Sequence, residues 1–390
     1  MSNGPDGSLG ALGLIETLRL GVLEGDGPEQ FSGVYAVDMN SAGDVFVGDN
    51  ASGTVRVFDA EGAFVTELGG RGQGPGEVTT VNDVFALGDT VGIVDWQRGG
   101  KVVLYHVDGS MLASWSVRQV DGSTVLPLHP VSGGWLMQVD RPDQFPRLAP
   151  GEVQTLYAQI HLGEFGSEKV GSRVYSVPTL TLYGTGAAGE MAQDWALFRP
   201  RTYLGFDAEG RLYVTDDQAY RVDVRDRHGL VRSVRRSYSP RRLGEPDVAA
   251  LEEAAIHVVD TMSRMPEQSR PRERTQIAER IDRQASLPLP EVMTPLGGLL
   301  VSPDGSFWVQ VSDSTDLVER EADLMFGMFG GLPQTETSWD LYDPEGLYLG
   351  SVTLPARFRA EAVVGLDVVG VWADELDVEY VVKYRAGPAG

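Results

Sequence analysis

The chain has 390 residues, of which 42% are hydrophobic and 23% charged, the composition of an ordinary globular protein. Its net charge of −24 argues against nucleic acid and anionic lipid as general partners, because both repel such a surface. The absence of cysteine excludes disulfides, thiolate nucleophiles and cysteine-ligated metals, and no apolar run approaches the ~18 residues of a membrane span.

The first predicted element is a lone strand over residues 14–22, LIETLRLGV. The residues before it contain no basic segment followed by a long apolar stretch, so the given numbering shows no signal peptide. This strand precedes a series of repeats that begins a few residues later.

The first repeat is visible as a pair of glycine-rich segments. GDGPEQF at 25–31 aligns with GQGPGEV at 72–78, an offset of 47 residues. The same offset places three further residues on their counterparts: Val37 on Val84, Phe58 on Tyr105, and Gly62 on Gly109. A fixed period of 20–50 residues is typical of solenoids, propellers and arrays.

Within each repeat, a turn is followed by alternating apolar residues that end at an aspartate. The pattern reads GDVFVGD at 43–49 and GRLYVTD at 210–216, and its period of two predicts strands. A second turn sequence, DAEG, occurs at 59–62 and again at 207–210, where Asp and Gly suit tight turns. Each unit of about 45 residues therefore holds roughly four short strands, which make one propeller blade.

Six such units begin near residues 32, 79, 123, 200, 296 and 357. The last has too few strands after VEYVVKYR at 378–385, so we expect residues 14–22 to supply its outer strand and close the ring. We therefore predict an all-β fold in which residues 1–390 form a single six-bladed β-propeller of four-stranded antiparallel blades.

The segment GRGQGPGEV, followed by GDTVGIVDWQRGGKVVLYHVDG, resembles the NHL-repeat type of six-bladed β-propeller, as do residues 25–62 before it. The resemblance implies a fold but no single activity. On this fold, the glycines of residues 69–78 connect one blade to the next. They match neither the Gly-x-Gly-x-x-Gly of a dinucleotide site nor the Gly-Lys-Ser/Thr of a P-loop, so we do not predict phosphate binding.

A helical insertion near residues 244–285 interrupts the repeats. Pro246 suits a first helical turn, and one apolar face runs through Val248, Leu251, Ala255, Val258 and Met262. A second short helix carries Ile277, Ile281 and Ala285 on one side, with arginines around it. We expect this hairpin either to pack on the outside of the propeller or to serve as a docking element or lid.

A second insertion, predicted as a loop, covers residues 312–336 inside the fifth blade. Four large apolar residues lie among its glycines: Met325, Phe326, Met328 and Phe329. Met and Phe adapt to irregular apolar partners, and monomers generally avoid exposing such a patch. The segment is therefore either a plug over the central channel or a contact surface for a protein or apolar ligand.

The search for catalytic motifs yields no catalytic residue. There is no zinc-type histidine pair and no nucleophile elbow. Six-bladed lactonases and phosphotriesterases hold calcium at the channel mouth. In this sequence, several polar residues lie at the ends of second strands, which share one face of a propeller: Asp49, Asn50, Asp95, Asp140, Asp216, Asp217 and Asp374. Asn82 and Asp83 lie near the same rim. We favour turn capping for these aspartates. Asp49, Asp95 and Asp216 remain the alternative metal ligands.

The leading functional hypothesis is a non-catalytic binding or scaffold propeller, without cofactor, that docks other proteins as an accessory subunit of an envelope-associated assembly. Residues 199–283 hold 17 of the 32 cations, all arginine, against 15 acidic residues. The candidate partner-binding residues are therefore the four apolar residues of the second insertion and five arginines of the hairpin: Arg270, Arg272, Arg274, Arg280 and Arg283. The expected compartment is periplasmic or extracellular.

Two other functions stay open. One is a calcium-dependent hydrolase, similar to lactonases, or a lyase with its site at the channel mouth. The other is a carbohydrate binder that uses Trp96, Trp135, Trp308 and Trp339, although tryptophan is also common in blade cores. Binding of calcium at the channel axis would favour the enzyme.

Overall fold

Six antiparallel sheets form a ring, and each sheet is one blade of a β-propeller. The computed structural model describes residues 12–388 except 24, 26, 97–99, 117–123, 132–133, 141–147, 166, 168, 170, 186–192, 200, 217–218, 240, 262–266, 313 and 326–331. The predicted fold class is confirmed.

Strand β1 (Leu12–Leu20) comes first in the chain and belongs to the last blade. The first blade contains β2 (Val34–Met39), β3 (Val45–Asp49), β4 (Thr54–Phe58) and β5 (Phe64–Gly69). The second contains β6 (Asp83–Leu87), β7 (Thr90–Asp95), β8 (Lys101–His106) and β9 (Met111–Ser116). The third contains β10 (Thr124–Val131), β11 (Gly134–Asp140), β12 (Val153–Gly163), β13 (Ser172–Gly184) and β14 (Gln193–Asp194).

The remaining blades complete the ring. The fourth contains β15 (Leu204–Phe206), β16 (Leu212–Asp216), β17 (Arg221–Asp226) and β18 (Gly229–Arg235). The fifth contains β19 (Leu296–Val301), β20 (Phe307–Val311), β21 (Thr337–Tyr342) and β22 (Tyr348–Leu354). The sixth contains β23 (Phe358–Val364), β24 (Asp367–Ala373), β25 (Glu379–Pro388) and β1. The third blade departs from the predicted four strands because the two residues of β14 pair with the end of β13.

The ring closes through β1, which pairs antiparallel with β25 from Leu12 opposite Pro388 to Leu20 opposite Val381. This confirms the predicted closure, although the strand covers residues 12–20 rather than 14–22. The buried Lys383 Nζ donates to the carbonyl oxygens of Gly43 at 3.2 Å and Ala60 at 3.1 Å, so it ties the sixth blade to the first.

An apolar core lies between each pair of neighbouring blades, which makes six cores around the ring. The core between the last and first blades joins Val371 and Val381 to Val45 and Phe58. Side chains of a strand alternate between its two faces, so a sheet between two neighbours is apolar on both. This explains the nearly continuous apolar runs in inner strands such as β6 and β7.

The two faces of the ring are defined by how the strands are connected. Because consecutive strands run in opposite directions, the links between blades and between second and third strands lie on one face, here called the connector face. The first-to-second and third-to-fourth turns lie on the other, the turn face. Gly62 and Gly109 take equivalent places in such turns with φ of 90° and 94°, where a side chain would be strained.

Three helices lie in connections of the connector face and together form the helical cap. Helices α1 (Glu245–Thr261) and α2 (Arg270–Ala285), joined by a 3₁₀ turn at Glu267–Ser269, confirm the predicted insertion. Residues 312–336 are not simply a loop, because they begin with α3 (Ser314–Met325). Val318, Ala322 and Met325 follow helical spacing, a signal that the glycines after Met325 obscured.

Candidate functional site

The helical cap has an apolar core of its own. Buried residues of all three helices meet there with two residues that precede the fourth blade: Leu251, Ala255, Val259, Ile277, Ile281, Val318, Ala322, Met325, Leu197 and Phe198. The hairpin therefore packs on α3 and this connection. Met325, one of the predicted contact residues, is 8% exposed and belongs to this core. Phe326, Met328 and Phe329 lie outside the described residues.

Three of the five predicted arginines hold the cap together. Arg274 Nε donates to Asp260 at 3.0 Å, and Arg283 Nε donates to Asp194 at 3.2 Å. Arg280 donates to the carbonyl oxygen of Met325 at 2.9 Å. These contacts join α1 to α2, α2 to the third blade, and α2 to α3. They leave fewer arginines free for a partner than the sequence predicted.

The other two arginines of the set differ in exposure. Arg272 is exposed, and no hydrogen bond joins it to the described part of the chain. Arg270 is half-buried, and its Nε is buried without a hydrogen-bond partner among the described residues. Arg272 is therefore the predicted arginine best placed to meet an approaching protein.

Asp49 and Asp95 bind the backbone of the segments that enter their own blades. The oxygens of Asp49 accept from the amides of Ser32 at 3.0 Å and Ala51 at 2.9 Å. Asp95 accepts from the amide of Thr79 at 2.6 Å and from the Thr80 hydroxyl at 2.9 Å. This geometry is that of turn capping.

Two further rim residues, Asp374 and Asn82, give the same pattern. Asp374 accepts from the amides of Leu376 at 2.8 Å and Val378 at 3.0 Å. Asn82 accepts from the amide of Trp96 at 2.8 Å. Asp217 and the side chains of Asp140 and Asp216 lie outside the description. Within the described residues, no three His, Asp or Glu side chains are placed to share a metal ion.

The inner strands carry a group of carboxylates, here called the channel carboxylates: Asp38, Asp83 and Glu361. The sequence pointed to Asp83 only as a residue near the rim, and it did not single out Asp38 or Glu361. They belong to the first, second and sixth blades. Asp38 reaches the neighbouring blade, where it accepts from the Ala86 amide at 2.7 Å. Glu361 lies at an irregularity in the pairing of β23 with β24, where a bulge re-aims a side chain, and pairs with Arg359.

The channel carboxylates have raised pKa values. Burial, with a contribution from Glu361, raises the pKa of Asp38 to about 7. Burial, together with the charges of Asp38 and Glu361, raises the pKa of Asp83 to about 8. Burial also raises the pKa of Glu361, although Arg359 opposes this shift. Acids that titrate near neutral pH can donate or accept a proton, and such groups concentrate at functional sites.

A histidine on the third blade's inner strand lies among aromatic rings. His129 stacks on Phe206 at 6.0 Å between ring centroids and meets the edge of Phe85 at 5.8 Å. Burial lowers its pKa to about 4, so the ring is neutral at pH 7. Sequence alone offered one signal for these residues, namely charged or imidazole side chains inside otherwise apolar inner strands.

The four tryptophans considered for carbohydrate binding have different environments. Trp135, Trp308 and Trp339 are 2%, 0% and 6% exposed and belong to cores between blades. Trp96 is 44% exposed at the connector end of β7. A carbohydrate platform built on all four is therefore incompatible with the fold.

Comparisons with known proteins agree with the fold. A sequence family described as a 6-bladed beta-propeller, DUF5128, matches residues 23–124, which contain the first two blades. A crystal structure of a member of the DUF4221 family from Bacteroides vulgatus is similar with a TM-score of 0.53 and 8% identity, covering 97% of this chain and 99% of that one. A search of curated proteins gives no match.

Two further solved structures are more distant. A Bacteroides fragilis protein has a TM-score of 0.48 and 12% identity, covering 95% of each chain. Virginiamycin B lyase from Staphylococcus aureus has a TM-score of 0.40 and 9% identity, covering 96% of this chain and 99% of that one.

Among the described residues, no helix is both long and apolar enough to cross a bilayer.

Proposed function

We propose that this propeller is a non-catalytic binding protein that docks a protein partner on its connector face, through the helical cap. The observation that carries the proposal is that the cap has an apolar core of its own, distinct from the cores between the blades. Six cores already join the blades, and the cap adds a separate core built from its three helices and the connection before the fourth blade. A segment unnecessary for closing the ring is free to serve recognition.

Charge supports a partner with an acidic surface. The hairpin belongs to a region that carries 17 arginines in a chain of net charge −24. Arg272 is exposed on α2 within this region. Such exposed cations increase the association rate and selectivity more than the affinity. The proposed setting is an accessory subunit of an envelope-associated assembly in the periplasm or outside the cell.

The test is reversal of one charge on each face. Full-length protein that carries Arg272→Glu is used to capture partners from the native source. The control is Arg227→Glu, which changes an exposed arginine on the turn face of the fourth blade. We expect a partner that remains on wild type and Arg227→Glu but is lost from Arg272→Glu. Equal retention by all three proteins would contradict docking through the cap.

The second candidate function is an enzyme, a hydrolase or lyase that acts in the channel. The channel carboxylates favour it, because Asp38 and Asp83 have pKa values of about 7 and 8. Such groups suit general acid–base chemistry at neutral pH. Its test is a screen of lactone and ester substrates with wild type and Asp83→Asn. Turnover by the wild type that the variant lacks would support the enzyme, and no turnover by either would count against it.

A further inference from the structure

A small cavity lies at the seam between α3 and the chain segments that lead into the fourth and fifth blades. Its lining includes three arginines, one glutamate, Met293 and Thr294. The cavity has a volume of about 10 Å³, so it holds about one water molecule. It is partly open to solvent. Only the tip of a ligand can enter.

The charges around this cavity do not balance. Arg199, Arg201 and Arg320 line it together with Glu321. Arg201 pairs with Glu321 at 2.6 Å, which accounts for one cation and the one anion. Arg320 donates to two neutral groups, the hydroxyls of Ser312 at 3.1 Å and of Tyr203. Two positive charges of the lining therefore have no carboxylate partner in the described part of the chain.

Arg199 is the least satisfied of the three. Its Nε is buried and has no hydrogen-bond partner among the described residues. The guanidinium lies over the ring of Trp195, 5.4 Å from its centroid, and Arg280 lies over the same ring at 5.2 Å. Stacking orients the guanidinium plane but supplies no acceptor for its N–H groups.

Burial makes this arrangement unfavourable in the absence of an anion. Burial, followed by the charge of Arg201, lowers the pKa of Arg199 to about 10, and the charge of Glu321 offsets only part of this shift. The arginine still carries its charge at pH 7, so the fold holds a partly buried cation next to another cation. An anion between them would remove both the repulsion and the unmet donor.

We infer that Arg199, Arg201 and Arg320 form a binding site for a carboxylate group. A carboxylate has two planar acceptor oxygens, which match the forked donors of a guanidinium. The cavity has room for about one oxygen atom, so one carboxylate oxygen would enter while the rest of the ligand stays outside.

The carboxylate has two possible sources. It is either a free small carboxylate or an Asp or Glu side chain of the docked protein, and the second source rests on the proposed function. The cavity lies beside α3, within the helical cap, so a protein on the connector face could insert an acidic residue there.

The first experiment measures acetate binding to the full chain by line broadening of ¹³C-acetate at constant ionic strength. We expect wild type to bind acetate and Arg199→Gln to bind it about tenfold more weakly, because a charged hydrogen-bonding group is lost. Arg227→Gln, on the other face, should bind like wild type. No binding by wild type, or equal binding by Arg199→Gln, overturns the site.

A second variant separates binding from folding. Arg199→Met keeps an apolar side chain next to Trp195 but removes the charge. In acetate-free buffer we expect its melting temperature to equal or exceed that of wild type, because an uncompensated cation has been removed. A structural role for Arg199 would instead lower the melting temperature. Acetate should raise the melting temperature of wild type and leave that of Arg199→Met unchanged.

Partner capture distinguishes the two sources. If Arg199→Gln binds acetate weakly and also loses the captured protein, the carboxylate belongs to the partner. If acetate binding depends on Arg199 but no partner is captured by wild type, the site stands with a free carboxylate while the docking function fails. If capture of a partner requires Arg272 while acetate binds wild type and Arg199→Gln equally, docking through the cap stands and the carboxylate site is overturned.

Discussion

The Tyr220 hydroxyl donates a 2.5 Å hydrogen bond to the buried carboxylate of Asp340, which joins the fourth blade to the fifth. Arg236 binds the same carboxylate, and Tyr342 donates to the Tyr220 hydroxyl at 2.9 Å. Because Asp340 is 2% exposed, the Tyr220 and Arg236 donors replace water that the carboxylate lost on folding.

Tyr220→Phe is expected to lower the free energy of unfolding by about 1.5–3 kcal/mol, since it removes a donor to a buried charge. Urea denaturation measures this change. Tyr157→Phe is the matched control, because Tyr157 is 46% exposed on the third blade, and it should change stability little. A loss of equal size in both variants would show that the buried contact has no special contribution.

Deletion of residues 1–22 should destabilise the whole protein, because it removes β1 and leaves β25 as an exposed edge. Deletion of residues 1–11, which precede β1, should be harmless. Thermal unfolding and light scattering compare the two. A peptide of residues 12–22 added to the longer deletion should restore stability by pairing with β25. Full stability without β1 would mean that the strand does not close the ring.

The channel carboxylates predict that stability falls as the pH rises. Asp38 and Asp83 have folded pKa values of about 7 and 8, above those of an unfolded chain, so the native state binds more protons between about pH 4 and 8. The stabilisation is fully present below the unfolded pKa and is lost as the pH passes the folded values. Asp83→Asn should therefore be more stable than wild type at pH 9, because it lacks the charge that the folded state disfavours.

The window for this measurement is pH 6.5–9. The pKa of His129 is lowered to about 4, so the contribution of this residue to the stability of the fold increases with pH between 4 and roughly 6.5. In that range it opposes the effect of the carboxylates, which lowers stability as the pH rises. Melting temperatures of Asp83→Asn are compared with those of Asp89→Asn, an exposed control in the turn after β6. A parallel pH dependence in wild type and Asp83→Asn would contradict the prediction.

We predict that Asp49, Asp95 and Asp216 serve turn geometry rather than metal binding. Calorimetry with calcium should find no submicromolar site on metal-free protein. Asp95→Ala should lower the free energy of unfolding by about 1–3 kcal/mol, because amide donors of the entering segment lose their acceptor. A tight calcium site that disappears in Asp95→Ala and Asp216→Ala would support the enzyme instead.

The last prediction concerns the three apolar residues beyond Met325. Joint replacement of Phe326, Met328 and Phe329 by serine should leave the fold intact and abolish partner capture, because an apolar contact surface would be lost. Met325→Ser is the contrasting variant, and it should reduce stability because Met325 is buried in the cap core. Unfolding of the triple variant would support the plug over the channel.

The blades could be predicted because their signals are local. Alternation within a strand and Asp or Gly in the next turn lie within a few residues, and the second unit repeats the pattern of the first 47 residues later. The strand that closes the ring was found for a related reason, since the sixth unit lacked one strand. Its bounds shifted by two residues, as strand ends are weakly determined by sequence.

The candidate sites could not be predicted in the same way because they depend on convergence across the ring. Asp38, Asp83 and Glu361 come from three blades, and only the closed ring places them near one another. Arg199, Arg201 and Arg320 meet because α3 returns to the connection before the fourth blade. The residues next to each of these side chains in the sequence do not indicate that they meet in the fold. The three arginines could not be told apart from the many other arginines of the chain.

The closing strand has a consequence for synthesis of the protein. Thr17 Oγ1 donates to the carbonyl oxygen of Lys383 at 3.2 Å across 366 residues of chain. At about 5–20 residues per second, a ribosome needs roughly 20–70 s to make that length. During this time β1 has no partner, and its Glu16, Thr17 and Arg19 keep the waiting edge polar. The sixth blade can therefore be completed only after β25, the partner of β1, has been translated. Ring closure is then a late step of folding that joins residues far apart in the sequence, a contact of high contact order.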